Sequence, residues 1–216
     1  MRRALVALST ALLASTSFAQ IHQGLTADFQ DSTTNGWQGP NVFNTGSGGP
    51  TGANDKFLGV TSDGSGQGGR LATYNTGDWL GNYQSAGVTS ITMMIKNFNT
   101  VSLEMRIVLF DAVSHARWTS TTPAIIAANA GWNTATFSLA ESDLTRVQGT
   151  SSYQDVITNV ERLMIRHDAG TPSAGGTAIT GEMGIDNIQA VPEPTTIATL
   201  TLGTLALLRR KKSKAV

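Results

Sequence analysis

Residues 103–110 read Leu-Glu-Met-Arg-Ile-Val-Leu-Phe, and this stretch decides the fold class. Apolar side chains stand at every second position, which is the period of a β-strand with one buried face. Residues 90–96 (Ser-Ile-Thr-Met-Met-Ile-Lys) have the composition of a second strand. The short Asn-Phe-Asn-Thr segment at 97–100 lies between them, so the two strands are predicted to form a hairpin.

The rest of the body repeats this pattern of short strands separated by Gly- and Asn-rich segments. Further strands are predicted at 27–30, 57–61, 70–74, 117–121, 133–139, 161–167 and 182–190. Short helical turns are predicted at 81–86 and 153–159, and no sustained amphipathic helix occurs. Many short strands in one domain are typical of a sandwich, so the predicted fold is all-β, a single β-sandwich of jelly-roll type over residues 27–190.

Two segments at the ends of the body carry a family resemblance. The body opens with Ala-Asp-Phe-Gln-Asp at 27–31 and Asn-Gly-Trp at 35–37, and it closes with Gly-Ile-Asp-Asn-Ile at 184–188. This arrangement resembles the galactose-binding-domain-like jelly roll shared by many carbohydrate-binding modules. The resemblance implies that the two terminal strands lie side by side and help hold a structural calcium ion. One position departs from the family pattern, because Gln30 stands where a glutamate is usual.

Three aspartates are the candidate calcium ligands. Calcium takes six to eight oxygen ligands, commonly including several carboxylates. The resemblance assigns Asp28 to the first strand and Asp186 to the last, and Asp55 lies in a Gly-rich loop. The alternative is that these aspartates are surface residues whose carboxylates accept hydrogen bonds from turn and loop amides.

Exposed aromatic side chains are the candidate sugar-binding groups, because pyranose C–H faces pack against rings. Trp79 and Tyr83 lie in the polar segment 76–83 and are the first candidates, with Trp118 as the third. Packing inside the domain is the alternative for all three residues. Trp37 and Trp132 each follow a glycine and are interpreted as core or edge residues.

The C-terminal segment 191–216 has three parts in order. Val-Pro-Glu-Pro at 191–194 interrupts regular structure, since proline fits neither a strand ladder nor a helix interior. An uncharged run follows at 195–208 and would span about 21 Å as a helix, less than the ~30 Å of a bilayer core. The basic segment 209–214 predicts a cytoplasmic C-terminus.

This order of parts resembles the PEP-CTERM sorting signal, with Pro192, Glu193 and Pro194 as the motif and Arg209 and Arg210 beginning the basic end. The resemblance implies an envelope protein of Gram-negative type, held at least transiently in the inner membrane by a short transmembrane helix. It further implies recognition by an exosortase and association with extracellular polysaccharide.

The N-terminal segment predicts export. Residues 1–19 combine two early arginines, an apolar run and Ser-Phe-Ala at 17–19, which is a signal-peptidase site. Residues 20–26 are predicted to be a flexible mature N-terminus. The exported part, residues 20–194, contains 8 basic and 15 acidic residues, a net charge of −7. A nucleic-acid partner is therefore not expected.

Catalytic signals are scarce. The chain has no cysteine, its three histidines are far apart, and it contains no His-Glu-x-x-His or Gly-x-Ser-x-Gly motif. The sequence therefore favours an exported, non-enzymatic envelope or matrix protein that is associated with exopolysaccharide and binds glycans weakly. The alternative is a polysaccharide-acting hydrolase or lyase on the same fold, which would require two converging carboxylates.

Overall fold

The computed structural model describes residues 20–65 and 69–192. The predicted signal peptide at 1–19 and most of the sorting tail lie outside these residues, including the membrane segment 195–208. The same holds for Glu193, Pro194, Arg209 and Arg210, whereas Pro192 is the last residue of a strand. Within the described residues, no helix has the length and apolar character needed to cross a membrane.

The described chain is built almost wholly from β-strands. The strands are Thr26–Ala27 (β1), Trp37–Gln38 (β2), Val42–Thr45 (β3), Phe57–Asp63 (β4), Ala72–Asn75 (β5), Val88–Asn97 (β6), Leu103–Phe110 (β7), Arg117–Ser120 (β8), Ala124–Ile126 (β9), Asn133–Ser138 (β10), Leu144–Gln148 (β11), Arg162–His167 (β12) and Thr180–Pro192 (β13). One short α-helix, Tyr153–Ile157 (α1), and a 3-10 turn at Glu141–Asp143 complete it.

The strands form two antiparallel sheets. The six-stranded sheet has the order β10-β6-β13-β4-β3, and β1 also pairs with β13. The seven-stranded sheet has the order β11-β8-β7-β12-β5-β2, and β9 also pairs with β7. This is the predicted all-β sandwich, so the fold class is confirmed. The two terminal strands lie side by side, as the family resemblance implies.

The core lies between the sheets and follows the alternation seen in the sequence. Leu103, Met105, Ile107 and Leu109 of β7 are fully buried in it. The intervening side chains of β7 are on the other face of the seven-stranded sheet, together with every second residue of β5 and β12. That outer face is only partly covered, so its side chains are open to a ligand.

The predicted hairpin between residues 90–96 and 103–109 is wrong, because β6 and β7 belong to different sheets. The buried side chain of Asn97 explains the separation. Its amide nitrogen donates to the carbonyls of Val101 (2.9 Å), Ile126 (3.0 Å) and Ala127 (3.0 Å), so the chain leaves one sheet and enters the other around this group.

Two other local predictions have different outcomes. The helical turn predicted at 153–159 is confirmed as α1, which begins with a capping box between Ser152 and Asp155. At 81–86 no helix is assigned, and the predicted helical turn is limited to one hydrogen-bonded turn in which the amide of Ala86 donates to the carbonyl of Asn82 at 3.0 Å.

The mature N-terminal segment at 20–26 is not loose, which corrects the prediction of flexibility. Ile21 is buried in the core, and its amide donates to the carbonyl of Leu80 at 2.9 Å. The amide of Gly24 donates to the carbonyl of Ala190 at 2.9 Å. These bonds dock the segment onto the domain.

Candidate functional site

The first two predicted sugar-binding aromatics belong to the core. Trp79 is 1% exposed and Tyr83 is fully buried. The Tyr83 hydroxyl donates to the carbonyl of Trp79 at 2.8 Å, and the Trp79 ring lies 5.8 Å from that of Trp37. Burial also raises the pKa of Tyr83 well above its ordinary range. A glycan cannot reach these rings, so their assignment as a sugar platform is wrong.

Trp118 is half-buried in β8, next to the edge strand β11 of the seven-stranded sheet. Its ring packs edge-on against Tyr153, with 5.8 Å between ring centroids, and its indole nitrogen donates to the carbonyl of Ser151 at 3.3 Å. The ring therefore supports α1 against the sheet. Its role in sugar binding stays a prediction.

The three predicted calcium ligands come together beside the middle of β13, where β1 ends and β4 begins. Asp28 and Asp55 line one shallow depression with Gln30 and Asn187. Asp186 lies in β13, where the register shifts, and its side chain is fully buried. Burial first, and then the nearby charges of Asp55 and Asp28, raises the pKa of Asp186 to about 7. We call these three residues the aspartate cluster.

Gln30 fills the centre of the aspartate cluster. Its side-chain nitrogen donates to a carboxylate oxygen of Asp55 (2.7 Å) and to the carbonyls of Asp28 (2.8 Å) and Lys56 (3.0 Å). Three oxygen acceptors therefore surround one amide nitrogen. In the described part of the chain, no three His, Asp or Glu side chains are arranged to hold a metal ion as they stand.

The oxygen atoms of the cluster nevertheless suit a hard cation such as calcium, which takes carboxylate, amide and carbonyl oxygens. One oxygen of Asp186 is buried without a hydrogen-bond partner, whereas the other accepts from the amide of Asn187 at 2.7 Å. Rotation of the Gln30 amide would present its oxygen in place of its nitrogen. The same rotation would break the bond in which the Gln30 oxygen accepts from the Lys56 amide at 3.3 Å, so the oxygen ligands suit calcium only if this bond is given up.

A second site lies on the outer face of the seven-stranded sheet, and it was not predicted. It is an open groove of about 580 Å³. Its lining includes four arginines and two aromatic rings: Arg70, Arg117, Arg162, Arg166, Tyr74 and Phe110. We call it the arginine groove.

Strand register creates the arginine groove. Phe110 of β7 pairs with Arg117 of β8 on one side and with Arg162 of β12 on the other. Cross-strand partners point to the same face, so both guanidinium groups flank the ring. Arg117 lies 5.0 Å and Arg162 lies 4.9 Å from the ring centroid of Phe110, and Arg162 lies equally close to Tyr74.

A loop between β12 and β13 forms one wall of the groove. Arg166 donates to the carbonyl of Ala174 at 3.1 Å and to a carboxylate oxygen of Asp168 at 3.0 Å. Arg117 also donates to the carbonyl of Ala174. A Cβ on Gly175 would come within 3.0 Å of the Arg70 guanidinium, so the loop passes close to it.

Arg106 lies beneath this wall and is fully paired. Its guanidinium donates to the carbonyls of Asp168 (3.1 Å), Ser120 (2.6 Å), Thr121 (2.5 Å) and Gly170 (2.5 Å). A buried guanidinium with four carbonyl partners is a structural element. It ties the loop to the sheet and so shapes the groove above it.

The electrostatic field of the groove is positive. Burial first, and then the neighbouring charges of Arg162 and Arg70, lowers the pKa of Arg117 below its ordinary value. Both ion pairs formed among the described residues use Asp168, and their partners are Arg106 and Arg166. Arg70, Arg117 and Arg162 therefore have no carboxylate partner within the part of the chain that the structure describes.

One signal in the sequence could have pointed to the groove. Within 161–167, Arg162, Met164 and Arg166 occupy alternate positions, which places two arginines on one face of the strand. Arg70 and Arg117 are far away in sequence and join them only through the strand order β8-β7-β12-β5.

His167 has a structural role at the end of β12. Its ring nitrogen Nδ1 accepts from the amide of Glu104 at 3.1 Å. Burial lowers the pKa of His167, so the neutral ring is favoured in this position. The ring is thus a satisfied hydrogen-bonding group within the sandwich.

Comparison with known proteins identifies the tail and the fold. Residues 190–212 match the PEP-CTERM protein-sorting motif, so the chain carries this signal, which implies export to the cell envelope and processing by an exosortase. No curated protein sequence matches the chain.

Solved structures share the sandwich at low sequence identity. The carbohydrate-binding module CtCBM11 matches at 15% identity and a TM-score of 0.51, covering 83% of this chain and 98% of its own. An exo-β-agarase matches at 14% identity and a TM-score of 0.55, covering 80% of this chain and 26% of its own. The agarase AgWH50C matches at 10% identity and a TM-score of 0.53, covering 79% of this chain and 25% of its own. These likenesses establish the fold as that of a carbohydrate-binding-module-like jelly roll.

Proposed function

We propose that this chain is an exported, non-enzymatic glycan-binding protein of the cell envelope, which uses the arginine groove to bind extracellular polysaccharide. The observation that carries the proposal is the groove itself. It is open and lies on a sheet face, and its polar donors converge around two rings. Sites of a few hundred Å³ with a few convergent polar groups are typical ligand sites.

The sorting tail supports the location part of the proposal. The exported body begins after the predicted signal peptide at 1–19, and the tail at 191–216 retains it at the inner membrane with a cytoplasmic C-terminus until cleavage. The mass and location of the protein in hosts with and without exosortase test this step. We expect a shorter, released species only when exosortase is present, and the same unprocessed species in both hosts would contradict it.

Binding is tested by affinity electrophoresis of the full chain through gels that contain polysaccharide, with a neutral and a charged panel. Retardation by at least one polysaccharide is expected. Unchanged mobility in every gel would contradict the glycan-binding proposal.

The agarase likenesses make a polysaccharide-acting hydrolase or lyase the second candidate. Each agarase is about four times as long as the matched segment, so the whole enzyme's activity does not transfer to this chain. Release of reducing ends or unsaturated products from a bound polysaccharide would favour the enzyme. Binding without any product favours the module.

We also propose that the aspartate cluster holds a structural calcium ion. The unpartnered oxygen of Asp186 and the three acceptors around the Gln30 nitrogen support this proposal. The ion would replace that nitrogen as the positive centre and would join β13 to the loop that contains Asp55. This would stabilise an exported domain that has no cysteine.

A further inference from the structure

Positive charge is concentrated in the arginine groove of an otherwise acidic protein. Residues 20–194 carry 8 basic and 15 acidic side chains, and four of the eight basic ones line this groove. No acidic side chain is among the residues that line it. A cleft lined by charges of one sign focuses the electrostatic field and raises the local concentration of ligands with the opposite charge.

The guanidinium groups have hydrogen-bonding capacity to spare. The Nε atoms of Arg117, Arg162 and Arg166 are buried and have no partner among the described residues. The side chains of Arg70 and Arg162 donate no hydrogen bond to any described residue. The buried Nε atoms are closed to solvent, so an anionic ligand would supply acceptors to the guanidinium groups of Arg70 and Arg162 at the groove surface. Burial and the charges of Arg117 and Arg70 also depress the pKa of Arg166, although Asp168 opposes this.

Guanidinium groups already lie over both aromatic rings in the groove. Arg162 covers the faces of both Tyr74 and Phe110, and Arg117 lies over Phe110 as well. Cation–π contacts of this kind fix the guanidinium planes and leave their N–H edges to point elsewhere. A neutral pyranose would need a free ring face to stack on, so these rings serve to position the arginines.

From these three observations we infer that the arginine groove binds an anionic glycan, a polysaccharide whose sugars carry carboxylate or sulfate groups. Guanidinium groups match both anions because their paired N–H donors meet two oxygen atoms at once. The inference rests on the proposed glycan-binding function and adds the chemical class of the ligand.

Charge-matched pairs of polysaccharides test the class of ligand. Polygalacturonate is compared with its fully methyl-esterified form, and dextran sulfate with dextran, by biolayer interferometry on the full chain. We expect at least one charged polymer to bind at least ten times more tightly than its neutral partner. The polymer that binds distinguishes carboxylate from sulfate as the anion. Binding should weaken steadily from 50 to 500 mM NaCl, since salt screens exposed charges.

Two double variants test the site. Arg70→Gln/Arg162→Gln removes two guanidinium groups that hold no other part of the protein by hydrogen bonds. Lys96→Gln/Arg146→Gln removes the same charge outside the groove and is the matched control. We expect the first to weaken binding of the charged polymer at least tenfold and the control to change it by less than about twofold. Circular dichroism verifies folding, and Arg70→Gln alone, at an exposed position, replaces the double variant if that one does not fold.

The outcomes separate the two proposals. Equal affinity for charged and neutral partners would overturn the anionic class and leave glycan binding in place. Binding to neither would overturn both proposals. Equal loss in the groove and control variants would refute the site, and duplex DNA bound as tightly as the charged polysaccharide would refute a glycan-specific groove.

Discussion

Asp186 is the buried acid whose ionisation state decides how the stability of the domain responds to pH. Its side chain is fully buried, and burial with the charges of Asp55 and Asp28 raises its pKa from 3.8 to about 7. Between these values the folded protein holds a proton that the unfolded chain has released. Stability therefore falls as the pH rises through this window, and the loss is complete above pH 7.

The size of the effect follows from the pKa difference. Roughly three pKa units correspond to at most ~4 kcal/mol, and relaxation around a charged carboxylate reduces this, so we expect about 1–3 kcal/mol. Asp186→Asn keeps the oxygen that accepts from the Asn187 amide and replaces the unpartnered oxygen by a donor close to two carboxylates. In EGTA at pH 8, the variant should be more stable than the wild type by this amount. At pH 5 the difference should be clearly smaller, because only part of the window between 3.8 and about 7 has been crossed, and it should vanish only below pH 3.8.

Urea unfolding at both pH values measures the difference directly. Asp63→Asn is the control, because hydrogen bonds from Ser65 lower the pKa of that exposed carboxyl and its removal should not stabilise the protein at pH 8. An Asp186→Asn variant that is less stable than the wild type at pH 8 without calcium would refute the reasoning.

Three further predictions concern other parts of the molecule. Millimolar calcium should raise the melting temperature of the wild type, and EGTA should reverse this rise. Asp186→Asn should abolish the rise. A melting temperature of the wild type that does not change with calcium would exclude the ion. Asp168→Asn should lower the free energy of unfolding by about 3–5 kcal/mol, because it leaves the buried charge of Arg166 unpaired; urea midpoints unchanged from the wild type would contradict this. Trp79→Ala should cost about 3–5 kcal/mol in the same assay because it leaves a cavity; a stability within about 0.5 kcal/mol of the wild type would place the ring outside the core.

Strand positions and buried faces could be predicted from the sequence wherever alternation is regular. The apolar positions of β7 are the clearest case, since they define both a strand and the face that it buries. Strand pairing could not be predicted, because the short segment 97–100 between the two strands suggested a hairpin. The buried amide of Asn97 sends the chain to the other sheet instead, and nothing in the local sequence reveals those three carbonyl partners.

The sequence predicted the aspartate cluster and missed the arginine groove. The convergence of Asp28, Asp55 and Asp186 follows from the pairing of the terminal strands, which the family resemblance implied. The polar segment that contains Trp79 and Tyr83 suggested exposure, yet both side chains turn inward. The arginine groove was missed because its residues come from distant strands and meet only through sheet order.

The central claim is that the arginine groove binds an anionic glycan. The most direct measurement is the affinity of wild type and Arg70→Gln/Arg162→Gln for polygalacturonate and dextran sulfate, with Lys96→Gln/Arg146→Gln alongside. A loss of at least tenfold in the groove variant, with less than about twofold in the control, is predicted for the polymer that binds. Equal affinities in all three proteins would contradict the claim.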